Sequence, residues 1–414
     1  MVTTEVAPGP LDGIRVIDLT TARGELAGRI WADLGADVIK VEPPGGSPSR
    51  RTPPFIIGRE DDGDASLFWA ATALGKRSVV LDIDDPGERE RLKHLIAGAD
   101  VLVESSEPGH LARFGLGYEA MRELNPSLLY VSITPFGQSG PHAALPATDL
   151  TVEAASGLLG FQGDRDRPPV PVGYPQSSFH GAAQAAADAI IAMIERDRSG
   201  LGQHLDTSMQ AAVIGTLLTG TGAPPLTGRD PPRTGAERGD PPRDLAPGVS
   251  PPTTLEVADG QAVITPVLGD VGDRSFGKMM RWAADEGALD EDLHDVSWST
   301  GLQGLAAGGA TPDQLSRGLA QLLAFFRGKT KHELQERAVA EKLLLAPLYT
   351  TADLLVDPQL QGREYWREVG GRTYPGPFAL LSRTPIRHRA PAPELGADQH
   401  LLESPRRPAA PAPT

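Results

Sequence analysis

The sequence predicts an α/β fold built on a largely parallel sheet. Through the first third of the chain, short apolar runs rich in β-branched residues alternate with stretches of helical periodicity. Such runs are typical of strands buried on both faces, and each parallel connection needs a crossover, usually a helix. In this fold ligands bind beyond the carboxyl ends of the strands, so we expect functional residues in the turns that follow them.

A strand, helix and strand open the chain. The run from Ile14 to Leu19 predicts a buried strand, and the run from Val38 to Val41 predicts the next one. Thr20 or Thr21 is the expected cap of the helix between them, and Gly35 suits a left-handed residue after that helix. The free N–H groups at the helix start would suit an anion. The segment contains no GxGxxG pattern, so it does not predict a dinucleotide site.

The elements that follow are predicted from the same patterns. Asp84 and Asp85, followed by Pro86, predict the start of a helix that ends at Gly98. Residues 254–267 predict a hairpin. The further predicted strands are 79–83, 101–103 and 128–133, and the further predicted helices are 67–74, 119–124, 148–159 and 181–196.

The charge balance and the absence of cysteine exclude several functions. With 54 acidic against 39 basic residues, the net charge of −15 argues against nucleic acid as a partner. Without cysteine, disulfides, thiolate metal sites and a cysteine nucleophile are excluded, and no metal site is predicted. The N-terminus shows no secretory pattern and no run is long and apolar enough to span a membrane, so we expect a soluble, cytoplasmic protein without a membrane partner.

Several segments match, in order, those of a known family. They are PLDGIRVIDLT, ADLGADVIKVEPP, SLFWAATALGKRSVVLDI, ADVLVESSEPG with LARFGL, ELNPSLLYVSITPFGQSGP, RDRSGLGQHLDTSM, APLYTTADLLVDPQLQGREYW and APELGADQH. The chain resembles the family III CoA-transferases, which include formyl-CoA transferase, carnitine CoA-transferase and α-methylacyl-CoA racemase. The resemblance implies transfer of CoA between an acyl-CoA and a carboxylic acid, with both as substrates and no permanently bound cofactor.

The resemblance also implies a domain organisation. It predicts a Rossmann-like large domain, a smaller α+β domain, and two subunits threaded through each other as an interlocked dimer. The Pro- and Gly-rich stretch near residues 220–252 suits a crossing between domains. The expected segments are 1–220 as the first part of the large CoA-binding domain, 221–252 as a linker, 253–345 as the small domain, 346–404 as the return to the large domain, and 405–414 as a disordered tail.

Coenzyme A carries a 3′-phosphate and a pyrophosphate, so an acidic protein must place cations locally to bind it. The resemblance implies that Arg113 matches the family's CoA-contacting arginine and that Lys76 or Arg77 matches its basic pair. For any single arginine, a solvated surface charge is the plainer interpretation. The other basic candidates lie together in a loop and are Arg50 and Arg51.

Other positions depart from the family pattern. Arg23 stands where formyl-CoA transferase has a glutamine, Ser105 where it has an asparagine, and Pro43 where it has an arginine. Arg23 lies at the predicted start of a helix, so it is a candidate for ligand contact, with an ion pair to Glu25 as the alternative.

The largest departure concerns the nucleophile. In the family transferases an aspartate four residues before a glycine attacks the acyl-CoA to give a mixed anhydride and then an enzyme-bound CoA thioester. Counting back four from Gly181 gives Ser177. The racemase branch has a histidine at the position of Thr148, before Asp149. Neither set of catalytic residues is present.

Three explanations remain open. Ser177 or Ser178 with His180 would supply a nucleophile and a base, provided that this segment is helical. Asp149 or Glu153 would act instead, although Asp149 is more simply a structural helix cap. In the third explanation the chain is a non-catalytic CoA-binding subunit, and an active paralogue supplies the aspartate in a heterodimer rather than a homodimer. Acyl-CoA racemase or isomerase chemistry is a further alternative.

Overall fold

The chain divides into two structural units. The computed structural model describes residues 8–235, 245, 249, 251–264, 270–298 and 308–403. The first unit contains the described residues of 1–159, 171–222 and 359–414, and the second contains those of 160–170 and 223–358. The domain boundaries predicted from the sequence stay a prediction, and the predicted tail at 405–414 lies outside the described residues.

A six-stranded parallel sheet forms the centre of the first unit. Its strands are β1 (Arg15–Leu19), β2 (Asp37–Glu42), β3 (Arg77–Val80), β4 (Val101–Glu104), β5 (Leu129–Thr134) and β6 (His204–Ser208). Their order is β3-β2-β1-β4-β5-β6, and every neighbouring pair is parallel. This is the doubly wound order of Rossmann folds, so the predicted fold class is confirmed. The order reverses between β1 and β4, where such folds bind ligands.

The helices of this unit pack on the two faces of the sheet or on one another. They are α1 (Glu25–Asp33), α2 (Leu67–Thr72), α3 (Pro86–Ala97), α4 (Tyr118–Leu124), α5 (Asp149–Ala155), α6 (Ser177–Ser199) and α7 (Met209–Thr216). Successive strand residues point to opposite faces. Val16 thus packs in the core that contains Trp31, whereas Ile17 packs in the core that contains Leu92. Alanines on α6 allow close packing against α1, where Trp31 Nε1 donates to Ala186 O over 3.2 Å.

Local capping follows the prediction at one helix and departs from it at another. Asp85 caps α3, which ends before Gly98 as predicted. At α1 the predicted threonine cap is wrong, because Gly24 occupies the cap position without a side-chain bond. Thr20 donates its hydroxyl to Asp18 on β1, and Thr21 donates its backbone N–H to Ser105, which follows β4. A separate turn therefore precedes the helix.

A further helix, α8 (Leu218–Thr227), overlaps the segment predicted as a linker. It contains Pro224 and Pro225, which lack N–H groups but still supply carbonyl acceptors. Gly228 donates to Pro224 O over 2.9 Å and Thr227 Oγ1 donates to Ala223 O over 2.8 Å. The high proline content of the predicted linker therefore did not make its first residues a loop.

The second unit contains a small antiparallel sheet with helices. Its strands are β7 (Thr254–Val257), β8 (Gly260–Ile264) and β9 (Leu345–Leu348), and its helices are α9 (Asp270–Asp285), α10 (Pro312–Phe326), α11 (Lys331–Glu341) and α12 (Thr351–Val356). The predicted hairpin is formed by β7 and β8, while its predicted last residues, 265–267, lie outside the described residues. Trp282, Trp298 and Phe326 belong to the core of this unit.

After a short helix, α13 (Pro358–Gly362), the chain adds a hairpin to the first unit. It consists of β10 (Trp366–Val369) and β11 (Arg372–Pro375). Within the described part of the chain, no helix is long and apolar enough to cross a membrane.

Candidate active site

Two turns meet at the carboxyl edge of the parallel sheet. Thr21, which follows β1, donates its backbone N–H to Ser105 Oγ over 2.8 Å, and the two hydroxyl oxygens lie 3.2 Å apart. Ser105 follows β4 directly and is buried. The predicted ligand residue Ser105 is therefore bonded to the β1–α1 turn and holds it in place.

Arg23 joins three loops at the same edge. Its Nη1 lies 2.8 Å from Glu107 Oε1, and its Nη2 donates to Ala147 O over 2.9 Å. The ion-pair partner expected as the alternative, Glu25, is instead fully buried and accepts from Ser47 Oγ over 2.9 Å. Because the guanidinium of Arg23 keeps partial exposure, it remains a candidate for an anionic ligand.

A buried group of charges lies beneath this edge. Asp18 on β1 lies 2.7 Å from Lys76 Nζ and 3.2 Å from Lys40 Nζ. Lys76 also donates to Glu25 O over 2.8 Å, at the start of α1, and Lys40 donates to Thr20 O. Lys76 was predicted to contact CoA, but its ammonium group is buried and bonded to these internal partners.

The charges in this group depend on one another. Burial alone would raise the pKa of Asp18, but Lys40 and Lys76 outweigh it and lower that pKa to about 2. Burial would lower the pKa of Lys40, but Asp18 and Glu25 outweigh it and raise that pKa. For Lys76 burial dominates, so its pKa is lowered. A charged residue inside an otherwise apolar strand was the sequence signal for this group, at Asp18 in VIDL and Lys40 in VIKVE.

Arg50 is also committed to internal partners. Its Nε lies 2.7 Å from Glu42 Oε2 and its Nη2 lies 2.8 Å from Glu42 Oε1, so the pair is bidentate. A second ion pair joins it to Asp64, and its guanidinium carbon lies 4.0 Å from the ring centroid of Trp69. Since Arg50 is only 3% exposed, it shapes the loop after β2 and its charge is bound to internal partners, whereas the sequence predicted a contact to CoA.

The remaining predicted basic residues lie in different places. Arg77 begins β3 and pairs over 3.2 Å with Asp37, which begins β2. First residues of parallel strands lie at the amino edge, so Arg77 is remote from the carboxyl edge where a ligand was expected. Arg113 is in the loop after β4, and its Nη2 lies 2.8 Å from His110 Nδ1. Arg51, in the loop after β2, donates to Gly45 O over 3.0 Å.

The predicted catalytic residues gather at the start of α6. Ser177 begins the helix, is fully buried and donates its hydroxyl to Asp149 O over 3.2 Å. Ser178 donates both its backbone N–H and its hydroxyl to Asp149 Oδ1, each over 2.8 Å. Gln176 donates its backbone N–H to Asp149 Oδ2 over 2.8 Å. The Asp149 carboxylate therefore caps this helix, although it comes from α5.

His180 is not bonded to either serine. Its Nδ1 lies 2.7 Å from Gln176 O, one helical turn earlier, which fixes Nδ1 as the protonated nitrogen. The Ser–His pairing considered from the sequence is therefore absent among these described residues, even though the segment is helical as that pairing required. What the geometry supplies is a hydroxyl–carboxylate pair, Ser178 with Asp149, at a helix N-terminus.

A cavity of about 400 Å³ adjoins the loop after β4. Tyr118 stacks on His204 with ring centroids 5.1 Å apart, and His204 Nε2 lies 3.0 Å from Ser132 Oγ. Glu104 and His204 both line the cavity. Burial raises the pKa of Glu104 and lowers the pKa of His204. These residues were not singled out from the sequence, because neighbouring parallel strands bring them together from separate segments.

The chain is similar over most of its length to proteins named as CoA-transferases. It is 30% identical over 399 residues to "Succinate--glutarate CoA-transferase" of Agrobacterium fabrum, covering 94% of both chains. It is 33% identical over 380 residues to "Succinyl-CoA:(R)-benzylsuccinate CoA-transferase subunit BbsE" of Thauera aromatica, covering 87% of this chain and 86% of that one.

A solved structure has the same fold. The crystal structure of a CAIB/BAIF family protein from Brucella suis aligns with a TM-score of 0.81 at 28% identity, covering 96% of this chain and 99% of that one. The sequence pattern of CoA-transferase family III matches residues 11–399. Because this match spans most of the chain and the fold agrees with it, the chain belongs to CoA-transferase family III.

Proposed function

We propose that the protein is a CoA-transferase that moves CoA between an acyl-CoA and a carboxylic acid. The observation that carries this proposal is the family match over residues 11–399. The site supports it, because the carboxyl edge of the sheet brings a basic side chain, a helix N-terminus and a carboxylate into one unit. The cytoplasmic location and the interlocked dimer belong to the same proposal.

Arg23 and Arg113 are the proposed cationic contacts to CoA. Both lie in loops at the carboxyl edge, one after β1 and one after β4. Phosphate groups accept charge-assisted hydrogen bonds from guanidinium groups. Lys76 and Arg50 would act indirectly, since their ion pairs support the turns that lie next to the ligand.

The reaction itself favours a carboxylate as the nucleophile. When an enzyme carboxylate attacks a thioester, the C–S bond breaks, CoA leaves as thiolate, and a mixed anhydride forms. The thiolate then attacks the enzyme's carbonyl carbon of that anhydride, which breaks the C–O bond, releases the donor acid as a carboxylate and leaves an enzyme-bound CoA thioester. An ester on serine leaves no activated enzyme carboxyl that could carry CoA to the second acid. Of the predicted catalytic residues, Asp149 is therefore the proposed nucleophile, with Ser178 as its hydrogen-bond donor and His180 beside the helix start. Ser177 occupies the position of the family's aspartate, so the proposed nucleophile differs from that of the family transferases.

A partner-dependent subunit is the second candidate. Ser177 in place of the family's aspartate favours it, and one similar protein is named as a subunit of a transferase. In this case the chain binds CoA, and a paralogue in a heterodimer supplies the attacking carboxylate. Racemase or isomerase chemistry is a third candidate and predicts exchange of the α-proton of an acyl-CoA with solvent deuterium.

The deciding experiment is CoA exchange by the purified chain alone. Succinyl-CoA is the first donor to assay, with glutarate and benzylsuccinate as acceptors, because the similar proteins are named for these acids. Activity that is lost in Asp149→Asn but kept in Ser177→Ala supports a self-sufficient transferase. Activity that appears only in Ser177→Asp, or only after a paralogue is added, supports the subunit. Deuterium incorporation without CoA exchange would instead support the racemase.

A further inference from the structure

Two carboxyl groups lie one turn apart on α5 and meet at the start of α6. Asp149 and Glu153 are four residues apart, so their side chains lie on the same face of that helix. Glu153 is only 2% exposed, and its Oε2 has no hydrogen-bond partner among the described residues. Two ionised carboxylates on one helix face repel each other, so their burial side by side favours a state in which one of them is protonated.

The donors around the pair identify which carboxyl holds the proton. Asp149 accepts the backbone N–H groups of Gln176 and Ser178 and the hydroxyl of Ser178, so both of its carboxyl oxygens already act as acceptors. Fewer groups around Glu153 offset the cost of burying a charge there. Burial raises the pKa of Glu153, and the hydrogen bond and charge of Asp149 raise it further, while the Gln176 N–H and the charge of His180 oppose this only in part.

We propose that Glu153 is a neutral positioning residue, which donates its proton to Asp149 and so holds that side chain in place at the N-terminus of α6. Its free oxygen lies in a space without a donor, so ionisation would leave a second negative charge buried beside the first. The charged groups that act on it are Asp149 from its own helix and His180 from α6, while Arg23 approaches the start of α5 at Ala147 O.

The protonation state of Glu153 and its effect on turnover can be measured separately. Protonation of Glu153 is a property of the folded chain and can be measured without substrate. Its effect on turnover rests on the proposed transferase function, in which Asp149 attacks the thioester. Ionisation of Glu153 at high pH would repel Asp149 from its position, so turnover should fall as pH rises through that transition.

Glu153→Gln is the test variant, because glutamine keeps a donor for Asp149 and cannot ionise. A carboxyl with a raised pKa in the folded state makes the protein less stable as pH rises above the unfolded value of about 4.3. The urea midpoint of Glu153→Gln should therefore move above that of the wild type as pH rises from about 4 to about 8. Glu195→Gln, at an exposed carboxyl of α6, is the matched control and should show a constant difference.

Turnover gives the second readout. Glu153→Gln should keep kcat near neutral pH and lose the high-pH decline, whereas Glu153→Leu, which has similar size but no donor, should lower kcat by about tenfold or more. A high-pH decline that persists in Glu153→Gln would overturn the positioning role. If no acyl-CoA is turned over by any variant, the transferase function fails, and the urea midpoints still decide whether Glu153 carries the proton.

Infrared spectroscopy covers the case in which Glu153→Gln does not fold. Because burial also raises the pKa of Glu104, the carboxyl C=O band is measured in Glu104→Gln. A protonated-carboxyl band that persists above about pH 6, where exposed glutamates are ionised, supports the proposal. Absence of that band, or midpoints that stay parallel across the pH range, would overturn it.

Discussion

Asp18 and Lys76 are 58 positions apart in the sequence, yet their side chains form an ion pair of 2.7 Å with no exposure of either. Asp18 belongs to the first strand, and Lys76 directly precedes the third strand along the chain. The Lys76 ammonium also donates to Glu25 O, so the pair ties the sheet to the start of α1. Arg23 lies just before that helix, and its position therefore depends on a buried electrostatic contact.

Lys76→Met should lower the free energy of unfolding by about 3–5 kcal/mol, because it leaves Asp18 buried with a single cation. Urea unfolding followed by circular dichroism measures the change. Lys93→Met is the matched control, since Lys93 pairs with Glu90 at the surface and should cost less than about 1 kcal/mol. Equal losses of unfolding free energy in the two variants would show that the buried pair stabilises the protein no more than the surface pair does. Adding Asp18→Asn to Lys76→Met should recover part of the loss.

Gly28→Ala should destabilise the protein although alanine favours helices. A Cβ at Gly28 would lie 2.4 Å from Asp18 Oδ2 and 2.9 Å from Lys76 Cε, so the ion pair would have to move. Gly215→Ala, on α7, is the control because nothing lies within 4 Å of its Cβ position. It should raise the unfolding free energy by up to about 1 kcal/mol. Thermal unfolding of both variants tests the opposite signs, and stabilisation by Gly28→Ala would contradict the close approach of α1 to the ion pair.

Acid should destabilise the wild type through Asp18. Its pKa of about 2 lies below the ordinary value of 3.8, so the ionised form contributes stability above about pH 4 that is lost as pH falls to about 2. The expected loss is about 2 kcal/mol. Asp18→Asn, measured by urea unfolding at each pH, should lack this part of the acid dependence. Asp197→Asn, at an exposed position on α6, should follow the wild type, and identical curves for all three would reject the assignment.

Arg23→Ala should weaken binding of the CoA thioester with little effect on stability. The lost pair with Glu107 is partly exposed and contributes less than about 1 kcal/mol to folding. A lost charge-assisted bond to phosphate should raise KM about tenfold or more while kcat changes less. Steady-state kinetics provides the measurement, and Arg122→Ala, at an exposed arginine of α4, is the control. An unchanged KM would remove Arg23 from the binding site.

Ile191→Glu should convert a dimer into monomers if α6 contributes to the subunit interface. Ile191 is 64% exposed and Ile194 is 54% exposed, and both lie on the outer face of a helix whose other face is packed in the core. Size-exclusion chromatography with light scattering gives the mass of each form. Ile57→Glu, at a loop isoleucine that is 95% exposed, is the control and should leave the mass unchanged. A wild-type monomer would reject the proposed dimer.

The sequence alone determined the type of fold and much of its local structure. Apolar runs such as VIDL and VSIT predicted strands buried on two faces, and Asp85, Pro86 and Gly98 marked both ends of α3, because capping and burial are local properties of the chain. The family could also be identified from the sequence, since its segments occur in the same order along the chain.

Only the tertiary structure decided how the charged and polar residues are used. Lys76 and Arg77 are neighbours in sequence, but one is buried against Asp18 and the other pairs with Asp37 at the opposite edge. The partners of Asp149, at the start of α6, come from 27 and 29 positions away. The reason is physical: a side chain's periodicity reports which face it occupies, whereas its partner depends on which strands and helices the fold brings into contact.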